Sequence, residues 1–294
     1  MTDQNTAATL QNAPKKKGFW GGVWLNYKRN RAAMVGGIGF LIITIVSVLG
    51  ITPYDPEHGD FDNVMAPPTL KNIMGTDNIG RDIFSRIIVG GRVSLRVGVM
   101  AIAISATIGV TAGLVAGYYG GWIDSIIMRI LEVVLALPGL LLALLLVAYL
   151  GPSLTNAMLA ISIVFIPPYA RVVRANTLSL REMEYVTAAK AIGAQDRRVM
   201  FRAILPNTLS PIIVQVSLLL SVAILVEAAL SFLGLGVQPP TPAWGSMMAE
   251  SQQFIDLAWW MSTFPGMTIF VTVIALNFIG DGLREAFDPR QRRR

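Results

Sequence analysis

Residues 184–207 read EYVTAAKAIGAQDRRVMFRAILPN, the longest polar interruption after the first third of an otherwise apolar chain. Tyr185, Ala188, Ala189 and Ile192 recur at i, i+3, i+4 and i+7, which places them on one face of a helix. Two of these residues are alanine, so the face is shallow. It suits close docking against a partner groove better than burial in a thick core. Gly193 permits a sharp turn that a Cβ would resist. Beyond it, Val199/Ala203 and Met200/Ile204 pair at i, i+4, Arg198 and Arg202 take another side, and Pro206 is expected to close the second piece. The expected shape is two short helices around a glycine elbow. An ordinary amphipathic loop between membrane helices fits the same pattern.

Composition sets the class. The chain has 294 residues, 53% hydrophobic and 14% charged, with a mean hydropathy of +0.57. That is too apolar for a soluble domain and matches a polytopic membrane protein. There is no cysteine, so disulfide and thiol chemistry are excluded. A single histidine, His58, leaves no histidine-based metal site or catalytic dyad. The net charge of +6 sits beside apolar runs, which points to membrane topology and against nucleic acid as a partner. Residues 1–31 are polar, and Lys15–Lys17 lie too far before the first apolar run for a cleavable leader.

Read in order, the chain predicts an all-α protein with six transmembrane helices. Residues 1–31 form an N-terminal tail, disordered over 1–18, then a juxtamembrane segment. There Phe19, Trp20 and Trp24 precede Lys28, Arg29 and Arg31. Either a short helix at the inner membrane surface or a flexible segment fits it. Residues 32–92 hold the first span, Ala32–Ile51, and an external polar loop. Within that loop, Asp77 and Asp82 lie near Arg81 and Arg86. A surface ion-pair network or a solvated charge run accounts for them equally. Arg92 and Arg96 on the outer side run against the positive-inside rule.

Residues 93–281 contain the five-helix core. Val93–Gly117 spans back, and Ile123–Leu150 spans outward with a kink expected at Pro138-Gly139. Ser153–Val173 returns, with a break expected near Pro167-Pro168. A cytoplasmic loop covers residues 176–207, and Leu209–Leu233 and Ala258–Gly280 complete the set. From 171 to 202 there are seven basic residues against three acidic, as an inner loop requires. Residues 234–257 carry Glu250 and Asp256 but no Lys or Arg, as an outer loop should. Residues 282–294 end in RQRRR and read as a cytoplasmic basic tail, so both termini lie inside.

Three stretches carry a family resemblance. Thr187-Ala188-Ala189, then Gly193, then Leu205-Pro206 resemble the signature loop of the membrane subunits of ABC importers. That pattern is Glu-Ala-Ala, three residues, Gly, nine residues, then Ile-x-Leu-Pro. Thr187 and Ala203 depart from it, and Thr187 leaves open any ion pair that the acid would make. Gly75-Thr76-Asp77, Gly80-Arg81-Asp82 and Ser85-Arg86 resemble the second membrane subunit of peptide, nickel and glutathione importers, as does Gly234–Trp244. The resemblance implies the type I ABC-importer membrane fold in a bacterial cytoplasmic membrane. It also implies a homologous second membrane subunit, two ATP-binding subunits, an external substrate-binding protein and membrane lipid as partners. In such importers the loop is a coupling helix seated in a groove of the ATP-hydrolysing subunit. Tyr185, Thr187, Ala188, Ala189, Gly193, Leu205 and Pro206 are then the residues expected at that contact.

The chain itself carries no G-x-x-x-x-G-K-[ST] phosphate loop, so ATP and Mg are expected on the partners and no cofactor here. It is read as a permease subunit for di- or oligopeptides, not as an enzyme. A same-family importer of nickel chelates, glutathione or another small solute is the near alternative, and an ion-driven secondary transporter the distant one. Two intramembrane carboxylates stand out as substrate-pathway candidates. Glu227 lies well along the fifth span, where a pathway group and an interhelical bond both fit. Glu132 has Arg129 three residues away as a candidate partner.

Overall fold

The axis of the bundle is one helix, Ile83–Tyr119, in the computed structural model of the chain, which describes residues 19–288. In chain order the helices are α1 (Phe19–Arg29), α2 (Arg31–Leu49), α3 (Ile83–Tyr119), α4 (Gly121–Leu135) and α5 (Gly139–Leu150). Then come α6 (Leu154–Leu180), α7 (Glu184–Ala191), α8 (Asp196–Phe232), α9 (Trp244–Ser251) and α10 (Trp260–Phe287). No strand is present among the described residues. The juxtamembrane segment is therefore helical. The expectations for residues 1–18 and for the tail beyond Asp288 lie outside the described residues.

Five helices, α2, α3, α6, α8 and α10, are long and apolar enough to cross a membrane. The expected third span is instead two helices, α4 and α5, meeting at 85° across Pro138. Packing decides whether that bent pair crosses. Gly109, Gly113 and Gly117 of α3 lie against Tyr169, Ala170 and Thr177 of α6 in the same order, so α3 and α6 run parallel. Their C-terminal ends share a face: Arg181, just past α6, donates to the Gly117 carbonyl at 3.0 Å. Two parallel neighbours need a connection that returns across the layer, and α4–α5 is that connection. The bent pair is one crossing, and the total is six.

The remaining helices alternate around this pair. Gly98 of α3 packs on Leu220 and Ile224, whereas Leu114 and Tyr118 share a cluster with Ile204 and Ile212, so α8 is antiparallel to α3. Gly280 of α10 packs on Ser217 and Leu218 of α8. Gly36 and Ala33 of α2 meet Ala275 and Gly282 of α10. Asn30 caps α2 through Ala33 N at 3.0 Å and donates to Glu285 at 2.7 Å, bringing the start of α2 to the end of α10. Both ends of the described chain thus lie on the face that carries residues 184–204.

Three prolines behave differently from their local reading. Pro167-Pro168 do not break α6, which runs unbroken to Leu180. Its backbone is pressed against the glycine row of α3, and this tertiary contact holds the helix through the missing N–H groups. Pro206 does not close a short helix. Residues Val199–Ile204 form a π turn, Leu205 N bonds to the Met200 carbonyl, and Pro206 enters the first turn of the α-helix that follows. The wider turn makes room for the ring where an α turn would clash. The second half of the elbow is therefore the start of α8, not a separate short helix.

The face opposite the elbow is an assembled cap. α3 starts ten residues before the predicted Val93, because Asp82 caps Ser85 N at 2.8 Å and Ile83 and Ile87 pack with Met247, Trp260 and Met261 outside the lipid layer. The expected outer loop at 234–257 contains α9, seated by Trp244, whose indole donates to the Ile87 carbonyl at 3.0 Å. Asp77, Arg81 and Arg86 are not a surface network. Arg81 donates to Asp77 at 2.6 Å and to Glu250 at 2.7 Å, and Arg86 meets Glu250 at 3.0 Å, with only 1% of the Arg86 side chain exposed. Asp82 takes no arginine and accepts from Asn72 and Ser85. Arg92 has its own reason to sit here: it donates to the last carbonyls of α2, Ser47 and Val48, at the negative end of that helix.

Candidate functional site

The elbow is built from three spans. α6 ends at Arg181, whose guanidinium caps the carbonyls at the end of α3 and pairs with Glu182 at 2.9 Å. α7 then turns away from the bundle with a single buried anchor, Val186, in a cluster with Leu114, Val173, Val199 and Met200. Tyr185, Thr187 and Ala188 point outward and Ala189 is half-buried against the cluster. Tyr185 is 43% exposed and Ile192 86%. The face expected for docking is thus uncovered, apart from Ala189. The anchor behind it, Val186, was not singled out in the sequence, although its i+3 spacing to Ala189 carried the signal.

The turn has the hydrogen bonds of a left-handed helix stop. Ala194 N bonds to the Ala189 carbonyl at 3.1 Å and Gly193 N to Lys190 at 2.9 Å, with Gly193 at φ +81°. A Cβ on Gly193 would meet nothing within 4 Å, so glycine is required here by backbone conformation and not by space. The chain re-enters as α8 at Asp196, whose carboxylate accepts from the Tyr118 hydroxyl at 2.6 Å. The Lys190 ammonium sits 4.7 Å from the centre of the Tyr118 ring. Tyr118 therefore ties α3, α7 and α8 together. Tyr118 lies between the expected spans Val93–Gly117 and Ile123–Leu150, and its partner is 78 residues away, so the sequence does not single it out. Arg174 closes the assembly from α6 with two bonds to Asp124 of α4, at 2.5 and 2.6 Å.

The other singled-out residues fall as follows. The Thr187 hydroxyl bonds back to the Met183 carbonyl at 3.4 Å, within its own turn. Leu205 is half-buried and Pro206 exposed, while Asn207 reaches the Tyr185 hydroxyl at 3.4 Å. Glu227 is only 2% exposed, inside the subunit's own packing. One of its oxygens accepts from Ser231 at 2.7 Å and the other has no hydrogen-bond partner. Ser94 of α3, which accepts from Trp244 N at 3.4 Å, is its other polar neighbour. Glu132 is exposed on α4, and among the described residues it forms no ion pair with Arg129. These two carboxylates are not brought together with each other or with the elbow.

Comparison with known proteins adds the family. The model for the binding-protein-dependent transport system inner membrane component matches residues 109–293, more than half of the chain. The N-terminal transmembrane domain of oligopeptide transport permease C matches residues 18–68. A dipeptide transport system permease protein, DppC, of Escherichia coli is 50% identical over 91% of this chain and 92% of its own. The di/tripeptide permease DppC of Pseudomonas aeruginosa is 44% identical, over 91% of each chain. A glutathione transport system permease protein, GsiD, of Escherichia coli is 44% identical over 92% of this chain and 90% of its own. Among solved structures, the MetNI methionine ABC transporter in inward-facing form shares the fold with a TM-score of 0.55 at 16% identity, over 69% of this chain and 97% of that one. A six-crossing helical bundle with an uncovered elbow on its basic face, matched by the family model over residues 109–293, belongs to the inner-membrane components of binding-protein-dependent ABC importers.

Proposed function

We propose that this chain is one membrane-spanning subunit of an ATP-driven importer of di- or oligopeptides in a bacterial cytoplasmic membrane, with both termini cytoplasmic. The observation that carries the mechanism is α7: a short helix with one buried anchor and an exposed, shallow apolar face, fixed to three spans by Arg181, Tyr118 and the π turn. A helix so mounted passes a push to the bundle without absorbing it. Tyr185, Thr187, Ala188 and Ala189 form the contact with an ATP-hydrolysing partner, and Gly193, Leu205 and Pro206 hold the backbone that presents it. ATP and Mg are handled by two such partners, a homologous membrane subunit completes the pathway, and an external binding protein delivers the peptide.

The peptide reading is supported by relatives named for dipeptide and di/tripeptide transport. Glutathione import is the second reading, supported by the GsiD relative at comparable coverage. Glu132 is the pathway candidate that stands exposed, and Glu227 meets a peptide ammonium group only in a state where the Ser94–Ser231 pocket opens.

The test is to purify the complex with Ala189→Trp or Gly193→Val. The indole has no space under a shallow face, and valine in the left-handed region costs about 1–2 kcal/mol. Both variants are expected to insert and fold, to lose bound ATPase subunit or peptide-stimulated hydrolysis, and to stop uptake of labelled dialanine. Wild-type docking and uptake in both would remove the elbow from the mechanism. Competition of that uptake by glutathione decides between the two substrates.

A further inference from the structure

The basic excess between residues 171 and 202 is not spread evenly once the internal partners are assigned. Arg174 is taken up by Asp124 and Arg181 by Glu182. Lys190 lies over the Tyr118 ring, and the acid Asp196 is held by the Tyr118 hydroxyl. Arg171, on α6, and Arg197, Arg198 and Arg202 remain, the last three together at the start of α8. All three are exposed, and among the described residues none makes an ion pair or a side-chain hydrogen bond. With Gln195 and the exposed Phe201 they line one cleft of about 470 Å³, beside α7. Three like charges around one cleft repel one another, and no ion pair among the described residues offsets them. The counter-charge therefore comes from outside the described residues.

Depth selects its source. Arg92 touches the last carbonyls of α2 and marks one edge of the apolar layer. Gly98, six residues along α3, packs on Leu220 and Ile224, so that edge crosses α8 near Ala228. A hydrocarbon layer of about 30 Å takes roughly 20 helical residues, which puts the other edge near Thr208. Arg202 then lies about 9 Å beyond that edge and Arg197 about 16 Å, against a headgroup layer of about 5–7 Å. Lipid phosphate is too shallow for Arg197 and Arg198, so the complementary surface is a protein.

We propose that this cleft receives an acidic patch of the ATP-hydrolysing subunit, next to the groove that takes α7, with Phe201 as the apolar anchor between the arginines. The proposal rests on the coupling reading of α7 given above and adds a second, electrostatic contact to it. Val186 of α7 packs directly on Val199 and Met200, so the two contacts are parts of one continuous surface. Opposed charges at such a surface set association rate and salt dependence.

The experiment uses the assembled complex with Arg198→Glu/Arg202→Glu and, separately, Arg197→Ala/Arg198→Ala/Arg202→Ala. None of these side chains has a partner among the described residues, so the subunit is expected to fold, which thermal melting and retention of the second membrane subunit check. ATPase subunit held by the purified complex is measured between about 0.05 and 0.5 M salt, where screening shortens from roughly 14 to 4 Å. Wild type is expected to lose the subunit progressively with salt. The glutamate pair is expected to hold it about tenfold less tightly at low salt and to regain it as salt rises, and the alanine variant is expected to show a flattened salt response. Retention and salt response like wild type overturn the proposal. So does retention accompanied by loss of activation by phosphatidylglycerol vesicles relative to phosphatidylcholine, which assigns the counter-charge to lipid. Ala189→Trp in parallel separates the two claims. If it releases the ATPase subunit while the arginine variants do not, only the cleft is refuted; if it too holds the subunit, the coupling reading itself is refuted.

Discussion

Glu250→Ala removes the carboxylate that serves two buried guanidinium groups at once. It lies 2.7 Å from Arg81 and 3.0 Å from Arg86. Arg81 keeps Asp77 at 2.6 Å, but Arg86 is left with that same carboxylate at 3.6 Å and the Pro56 carbonyl at 3.2 Å. Two buried cations then share one anion. Stranding a buried charge costs about 3–5 kcal/mol. Glu250 itself is 28% exposed, so water reaches part of the gap and about 2–3 kcal/mol is the expected loss. The loss is local to residues 54–82 and α9, because Glu250 is the charged link between that loop and that helix. The assay is hydrogen exchange on the purified complex. Faster exchange is expected over 54–82 and 244–258, with no change over 184–204. Glu250→Gln is expected to fall between alanine and wild type. Adding Arg86→Met to Glu250→Leu removes one charge of each sign and leaves Arg81–Asp77 paired, so most of the stability should return. Unchanged exchange and melting temperature in Glu250→Ala would refute the view that these charges are buried and fix the cap.

Three further outcomes are expected. A reporter fused after Arg294 and one inserted at Asp60 should lie on opposite sides of the membrane, with the first cytoplasmic; both on one side would refute six crossings. Gly113→Leu places a side chain against the Ala170 carbonyl and should lower stability by about 1–3 kcal/mol or more, read by thermal melting. Glu227→Gln keeps an acceptor for Ser231 and removes the ionisable group, so stability should stay within about 1 kcal/mol of wild type. Uptake at the wild-type rate in that variant would take Glu227 out of the pathway.

The sequence made the elbow legible because its signals are local. The spacing of Tyr185, Ala188 and Ile192, the glycine at 193 and the burial of Met200 and Ile204 all act within one or two turns. Hydropathy located the spans for the same reason. What stayed hidden depends on distant partners. Asp77 and Arg81 read as surface charges, a network or a solvated run, because Glu250, which completes the burial, is 169 residues from Arg81. Pro167-Pro168 read as a break because the glycine row that holds α6 belongs to α3. Pro206 read as a stop because a π turn, which no local propensity signals, absorbs its ring. α9 is only eight residues long and is seated by Trp244 reaching Ile87, so periodicity alone does not separate it from loop. Glu132 and Arg129 show the reverse error: a favourable i, i+3 spacing that the side chains do not use.

The same contacts limit which parts of the bundle rearrange when α7 is pushed. Gly109, Gly113 and Gly117 bring the backbones of α3 and α6 so close that any added carbon overlaps main-chain atoms or Thr177. Backbones in that register have no room to slide, so α3 and α6 move as one body. The α8–α10 contact is of another kind. It consists of side chains, Leu218 over Gly280 and Ser221 near Asn277 at 3.5 Å, which have alternative rotamers. α8 also carries the π turn directly behind the elbow, a wider turn than the α-helix around it. On the coupling role proposed for α7, a push on it would reach α3 through Tyr118 and Arg181, and α8 through Val199 and Met200. With α3 and α6 locked together, the yielding contact is α8 against α10. At its far end α8 carries Glu227, under the Trp244–Ser94 contact that seats α9. On that proposal the path from the elbow to the opposite face would run along α8, and the buried carboxylate lies where α8 meets the cap.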